Sequence, residues 1–146
     1  MSLGVSETRA SSGSGEMSAA IGPICLIVED QALIGLSLEA YLEEVGFGAC
    51  ETLPTAAEAL TWLAMNSPTV AILDYSLKDG PCLALTRALR ERGIPFVIYS
   101  GHKRSIAPSE LQDVPWLSKP CDRGALLAAL THAAPVLAEC VIQAAA

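Results

Sequence analysis

Basic residues are scarce in this chain. Nine Lys and Arg stand against sixteen Asp and Glu, a formal charge of −7. Sequence-independent nucleic-acid binding needs a basic footprint, and anionic lipid attracts basic segments, so the expected partners include neither a nucleic acid nor a membrane surface. Aromatics are only 5% of the chain, which leaves the apolar volume of any core to Ala, Leu and their relatives. No apolar run reaches membrane-spanning length. The N-terminus carries Glu7 and Arg9 but no apolar stretch, so it does not read as a secretory signal. The five cysteines, Cys25, Cys50, Cys82, Cys121 and Cys140, are odd in number and contain no C-x-x-C. That argues against a disulfide frame or a zinc site and for reduced thiols in a cytoplasmic protein.

What is present suffices for one domain. The chain has 146 residues, 51% of them hydrophobic, the size and composition of a single ordinary domain. Residues 1–20 are rich in Ser and Gly with almost no large apolar side chains. They cannot bury enough surface to offset their ordering entropy, so a disordered tail is expected there. From residue 21 to 134 apolar runs alternate with helical patterns. Strands are expected at 24–28, 47–53, 70–73, 95–99 and 116–118. A helix over 32–45 has an apolar stripe of Ile34, Leu38, Leu42 and Val45 and stops at Gly46. A capping box, Thr55-Ala56-Ala57-Glu58, opens a helix to about residue 66. A third helix runs over 81–92, with Pro81 in its first turn and Gly93 as its stop. Residues 103–115 are polar and broken by Pro108, so at most a short fourth helix fits. Asp122 caps a last helix with Leu126, Leu127 and Leu130 on one face. Residues 135–146 form an apolar C-terminal extension.

The stretch that organises this pattern is Val70-Ala71-Ile72-Leu73-Asp74. An unbroken apolar run reads as a strand buried on both faces of a parallel sheet. Strands alternating with helices predict an α/β protein, a five-stranded doubly wound parallel sheet in the flavodoxin-like order 2-1-3-4-5. In such sheets ligands bind beyond the carboxyl ends of the strands, at the switch point between the first and third. That crevice would hold Glu29, Asp30 and Asp74. A lone strand-ending Asp is more often a cap or turn residue, but three carboxylates at one edge are different. Two of them ~4 Å apart repel by ~4 kcal/mol at an effective dielectric near 20. A hard divalent cation, Mg²⁺ or Mn²⁺, removes that cost. Ser100 and Lys119, at the next two strand ends, offer a hydroxyl and an ammonium. A metal, a lysine and a hydroxyl around one carboxylate suit a phosphoryl group, with Asp74 as nucleophile.

These residues, Glu29-Asp30, Asp74, Ser100 and Lys119-Pro120, each at a strand end and in that order, resemble the receiver domain of bacterial two-component response regulators. The resemblance covers the chain except its tails. It implies that Asp74 takes a phosphoryl group from a phosphohistidine on a sensor histidine kinase or histidine phosphotransfer protein. It implies that Glu29, Asp30, Asp74 and the backbone carbonyl of Ser76 hold the metal. Lys119 would pair with the phosphoryl group, and Ser100 would move to bond it. Trp116, in the place of the family's switching aromatic, would follow. Ser76 and His102 would tune the rate, and Lys119-Pro120 would be a cis peptide. Such a protein is not an enzyme beyond its own phosphorylation and dephosphorylation.

The sequence departs from that family after Asp74, where Lys78 replaces the usual proline and Gly80 arrives two residues early. It also departs in the irregular segment before Trp116. No basic helix or second periodic segment follows the domain, so output is expected through contact with a downstream protein target, or as a phosphate sink or relay. The apolar extension is expected to pack on the domain or to form a homodimer. A haloacid-dehalogenase-type phosphatase would carry D-x-D after its first strand, which Asp74-Tyr75-Ser76 does not match. A flavodoxin-like nucleotide or flavin module is weaker still, because neither G-x-G-x-x-G nor G-x-x-x-x-G-K-[ST] occurs.

Overall fold

The computed structural model describes residues 22–140, so the Ser/Gly-rich tail and the end of the apolar extension lie outside the described residues. In chain order the elements are β1 (Ile24–Val28), α1 (Ala32–Glu44), β2 (Ala49–Leu53), α2 (Ala56–Leu63), β3 (Val70–Leu73), β4 (Ser76–Leu77), β5 (Gly80–Pro81), α3 (Leu83–Glu91), β6 (Phe96–Ser100), β7 (Trp116–Ser118) and α4 (Arg123–Ala133). Five strands form one parallel sheet in the order β2-β1-β3-β6-β7. This is the predicted 2-1-3-4-5 order once the small antiparallel hairpin of β4 and β5 is set aside.

Alternation along the strands builds two cores. Leu26, Val28, Ala71, Leu73, Phe96 and Ile98 face α2 and α3. Cys25, Ile27, Val70, Ile72, Val97 and Tyr99 face α1 and α4. Successive side chains of a strand point to opposite faces, and a sheet covered on both sides needs both to be apolar. This is why β1 and β3 read as unbroken apolar runs. The α1 face comes so close to β2 that a Cβ added at Gly35 would lie 2.8 Å from the Thr52 side chain.

The predicted helix stops are present with their hydrogen bonds. Gly46 and Gly93 adopt φ of 114° and 71°. Phe47 and Ile94, one residue on, donate their N–H groups back to Leu42 and Leu89, each at 2.9 Å. Both are buried, which completes the apolar contact that accompanies such a stop. This corrects the expected start of the second strand. Phe47 is spent closing α1, and pairing with β1 begins at Ala49. The third helix likewise starts two residues later than expected, because Gly80 and Pro81 pair with Leu77 and Ser76. Between β6 and β7 stand two short 3-10 turns, Arg104–Ile106 and Ser109–Leu111, in place of a regular fourth helix. After Ala134 the chain turns, and Leu137 is fully buried against the α1–α4 core.

Candidate functional site

Four strand ends deliver the site. Glu29 and Asp30 follow β1, Asp74 follows β3, Ser100 ends β6, and Lys119 follows β7. Parallel pairing in register carries all of them to the carboxyl edge of the sheet. Glu29 and Asp74 are 4% and 7% exposed. The Lys119 ammonium lies between them and donates to Glu29 Oε1 at 2.6 Å and to Asp74 Oδ2 at 3.0 Å. The other oxygens are also used: Glu29 Oε2 accepts from Gln31 N–H at 3.1 Å, and Asp74 Oδ1 from Ser76 N–H at 3.2 Å. The ammonium also sits 5.6 Å from the Tyr99 ring centre.

Burial pushes the Glu29 carboxyl above its ordinary range, and the bonds from Lys119 and Gln31 pull it back only in part. Burial pulls the Lys119 ammonium down, but its bonds to Glu29 and Asp74 outweigh that and leave it above the usual lysine value. Lys119 is therefore a fixed cation at neutral pH, held against the carboxylate at the end of β3.

Oxygens of Glu29, Asp30 and Asp74 lie within 4.8 Å of one another. The donors are all hard oxygen, with no sulfur or imidazole in the set, and this suits Mg²⁺ or Mn²⁺. The cluster can hold such an ion. Beside it opens a cavity of ≈ 220 Å³ walled by Asp30, Gln31, Asp74, Ser76, Gly101, His102 and Lys119.

The remaining predicted residues sit around this core in different ways. Ser100 is wholly buried, and its hydroxyl accepts from His102 N–H at 3.0 Å, so it does not line the cavity. His102 is exposed at the mouth. Trp116 is half-buried, and its indole N–H donates to the His102 carbonyl at 2.9 Å. The Lys119-Pro120 peptide is cis. The cysteines are free among the described residues, and burial pushes Cys50 and Cys82 up to about 12, which fits packing groups.

Sequence reasoning missed three participants. Gln31 walls the cavity. The Tyr75 ring lies 5.4 Å from Trp116, tilted by 42°. Asp79 reaches across to α2, accepting from Ala56 and Ala57 N–H at 3.2 and 3.1 Å. Gln31 and Tyr75 had a signal, their places directly after Glu29-Asp30 and Asp74, and Asp79 had none.

Comparison with known proteins agrees with this geometry. Curated protein sequences give no match. Among solved structures, a sensor protein from Polaromonas sp. JS666 is 31% identical with a TM-score of 0.70, covering 79% of this chain and 98% of its own. The BeF3-activated conformation of SdrG from Pseudomonas melonis Fr1 is 35% identical with a TM-score of 0.64, covering 73% and 93%. A CheY-like receiver domain from Methylobacillus flagellatus is 26% identical with a TM-score of 0.65, covering 81% and 98%. The family model of the response regulator receiver domain matches residues 25–131, from the second residue of β1 into α4. That span takes in every strand of the sheet and the whole carboxylate–lysine cluster, and the chain belongs to the receiver domain family of response regulators.

Proposed function

We propose that this receiver domain is a cytoplasmic phosphoacceptor, taking a phosphoryl group from a phosphohistidine onto Asp74. The supporting observation is the Lys119 ammonium at 3.0 Å from Asp74 Oδ2, beside the three-carboxylate cluster. In the step, the donor N–P bond breaks as a bond forms from an Asp74 carboxylate oxygen to phosphorus. The freed imidazole takes up a proton from water. A divalent cation held by Glu29, Asp30, Asp74 and the Ser76 carbonyl would supply positive charge for the phosphoryl oxygens. Lys119 supplies the second positive charge and Ser100, after leaving His102 N–H, a hydrogen bond. The donor is a sensor histidine kinase or histidine phosphotransfer protein, and the output is contact with a protein target. The chain turns over no substrate besides its own Asp74.

The BeF3-activated form of the relative that is 35% identical supports this reading. Incubation with acetyl phosphate and Mg²⁺, followed by intact mass, is the test. The wild type should gain one acid-labile phosphoryl group and Asp74→Asn none. Stoichiometric labelling of Asp74→Asn would remove Asp74 from the role, and turnover of an added phosphomonoester would favour a phosphatase.

A further inference from the structure

The loop that follows Asp74 is tied down at its far end by a group that plays no part in the chemistry. Ser76-Leu77 pairs with Gly80-Pro81, and Cys82 N–H donates to Tyr75 O at 3.0 Å. Lys78 and Asp79 form the exposed tip of this hairpin. From the tip, the two Asp79 oxygens accept separately from the N–H groups of Ala56 and Ala57. The next N–H, of Glu58, goes to the α2 cap Thr55 at 3.1 Å, and Ala59 N–H begins the helical bonding at Thr55 O. The first turn of α2 is thus satisfied from two sources, and two of the open N-terminal donors that a helix leaves are met by a residue more than twenty positions downstream. No other α-helix among the described residues takes its cap from another element: α1 and α3 have no side-chain cap bond, and α4 uses its own Asp122. The Ala57 and Ala56 N–H bonds hold the Asp79 carboxyl below its usual range, in keeping with a carboxylate seated on a helix N-terminus.

We infer that Asp79 is a positioning residue for the phosphoacceptor loop: by fastening the hairpin tip to α2, it fixes the backbone of Tyr75 and Ser76 at the mouth of the carboxylate cluster and thereby sets metal affinity. This rests on the proposed role of the Ser76 carbonyl as a metal ligand. Without the strap, the hairpin tip keeps only its two bridge pairs and the buried Leu77, and its base keeps the Cys82 bond to Tyr75 O, the Ser76 bond to Asp74 and the Tyr75 contact with Trp116. A two-stranded hairpin of that length has little stability of its own. Partners that orient a ligand from behind are worth roughly 10–100-fold in metal affinity. Asp79 acts through backbone and not on the ligand atom, which points to about tenfold, the low end of that range.

The test compares Asp79→Ala with Thr55→Ala. Both remove a cap from α2, but only the first releases the hairpin. Mg²⁺ is titrated against Trp116 fluorescence in a Trp62→Phe background, and thermal melts of the metal-free proteins report helix stability. The inference expects both variants to melt lower, Mg²⁺ binding about tenfold weaker in Asp79→Ala, and unchanged binding in Thr55→Ala. Asp79→Asn, which keeps one acceptor oxygen, should fall between. Equal Mg²⁺ affinity in Asp79→Ala and wild type overturns the inference, and so does equal weakening by Thr55→Ala. A wild type that binds no Mg²⁺ would instead overturn the metal site itself, and the inference with it.

Discussion

Lys119 bridges two buried carboxylates with a single ammonium, and that makes it as much a structural residue as a chemical one. Glu29 and Asp74 would face each other unscreened without it, and removing one member of a buried ionic group costs several kcal/mol because the remaining charge stays buried. Lys119→Met should therefore destabilise the metal-free protein by roughly 3 kcal/mol in urea unfolding. Millimolar Mg²⁺ should return part of that, because the cation replaces the lost charge. A loss below about 1 kcal/mol would mean that Glu29 is protonated in the variant and the cluster relaxes at little cost. The membership of this cluster was legible in the sequence for a simple reason. Glu29 and Asp74 directly follow runs of apolar residues, Asp30 comes one place later and Lys119 follows the short strand Trp116-Leu117-Ser118, and a polar group there has only the sheet edge to occupy. The partner each one chooses was not legible. Ser100 was expected to move to bond the phosphoryl group, and the partner it would leave, His102 N–H, is local to the turn and encoded by no apolar pattern.

At the scale of elements, residues 103–115 show the same division. Pro108 excludes a continuous helix there, and the two 3-10 turns bear this out. The segment is polar in composition, yet it is anchored to the domain. Ala107, Leu111 and Val114 are buried, and Arg104 donates to Val114 O at 2.7 Å. Arg87 on α3 grips both Glu110 oxygens at 2.9 and 2.8 Å, while Arg90 donates to the Glu110 carbonyl at 2.9 Å. Those partners lie about twenty residues apart, beyond the reach of any local pattern. The Arg87 bonds hold the Glu110 carboxyl below its usual range. A lowered folded-state value contributes stability above the unfolded value, near 4.3, that is lost as pH falls through the folded one. Glu110→Gln should thus exchange amide protons faster over residues 104–114 at pH 7, by a few-fold at most because the pair is exposed. Melting of variant and wild type should converge as pH falls past the unfolded value and through the lowered folded one. A gap that persists in acid would assign the anchoring to Arg90 and the buried side chains instead.

For the whole molecule, the question is how the state of one sheet edge reaches a surface. The C-terminal turn is a matter of support. Leu137 is fully buried, whereas Val136 is 58% exposed, so ending the chain at Ala134 should cost about 2 kcal/mol of stability. Sedimentation of both lengths at tens of micromolar tests the homodimer separately. A full-length monomer leaves only the packed-back role that Leu137 already shows. The route proposed for signalling lies on the other side of the sheet. The Ser100 hydroxyl, the His102 backbone and the Trp116 indole form one hydrogen-bonded series, and Tyr75, the neighbour of Asp74, packs on the same indole. If Ser100 turns to bond a phosphoryl oxygen, His102 N–H loses its acceptor. The same peptide stretch carries the carbonyl that holds Trp116. Close-packed interiors do not leave a void the size of an indole at small cost, so release at His102 should shift Trp116 together with the turns that cover it. Because those turns are anchored to α3 through Glu110, the disturbance should extend to the Arg87 and Arg90 face. Hydrogen exchange with beryllofluoride and Mg²⁺ should therefore change over residues 100–116, and Trp116→Ala should confine the change to residues 74–81. If the wild type itself responds only over 74–81, the phosphoryl group is held without being relayed through Trp116, and a phosphate sink becomes the better account of this chain.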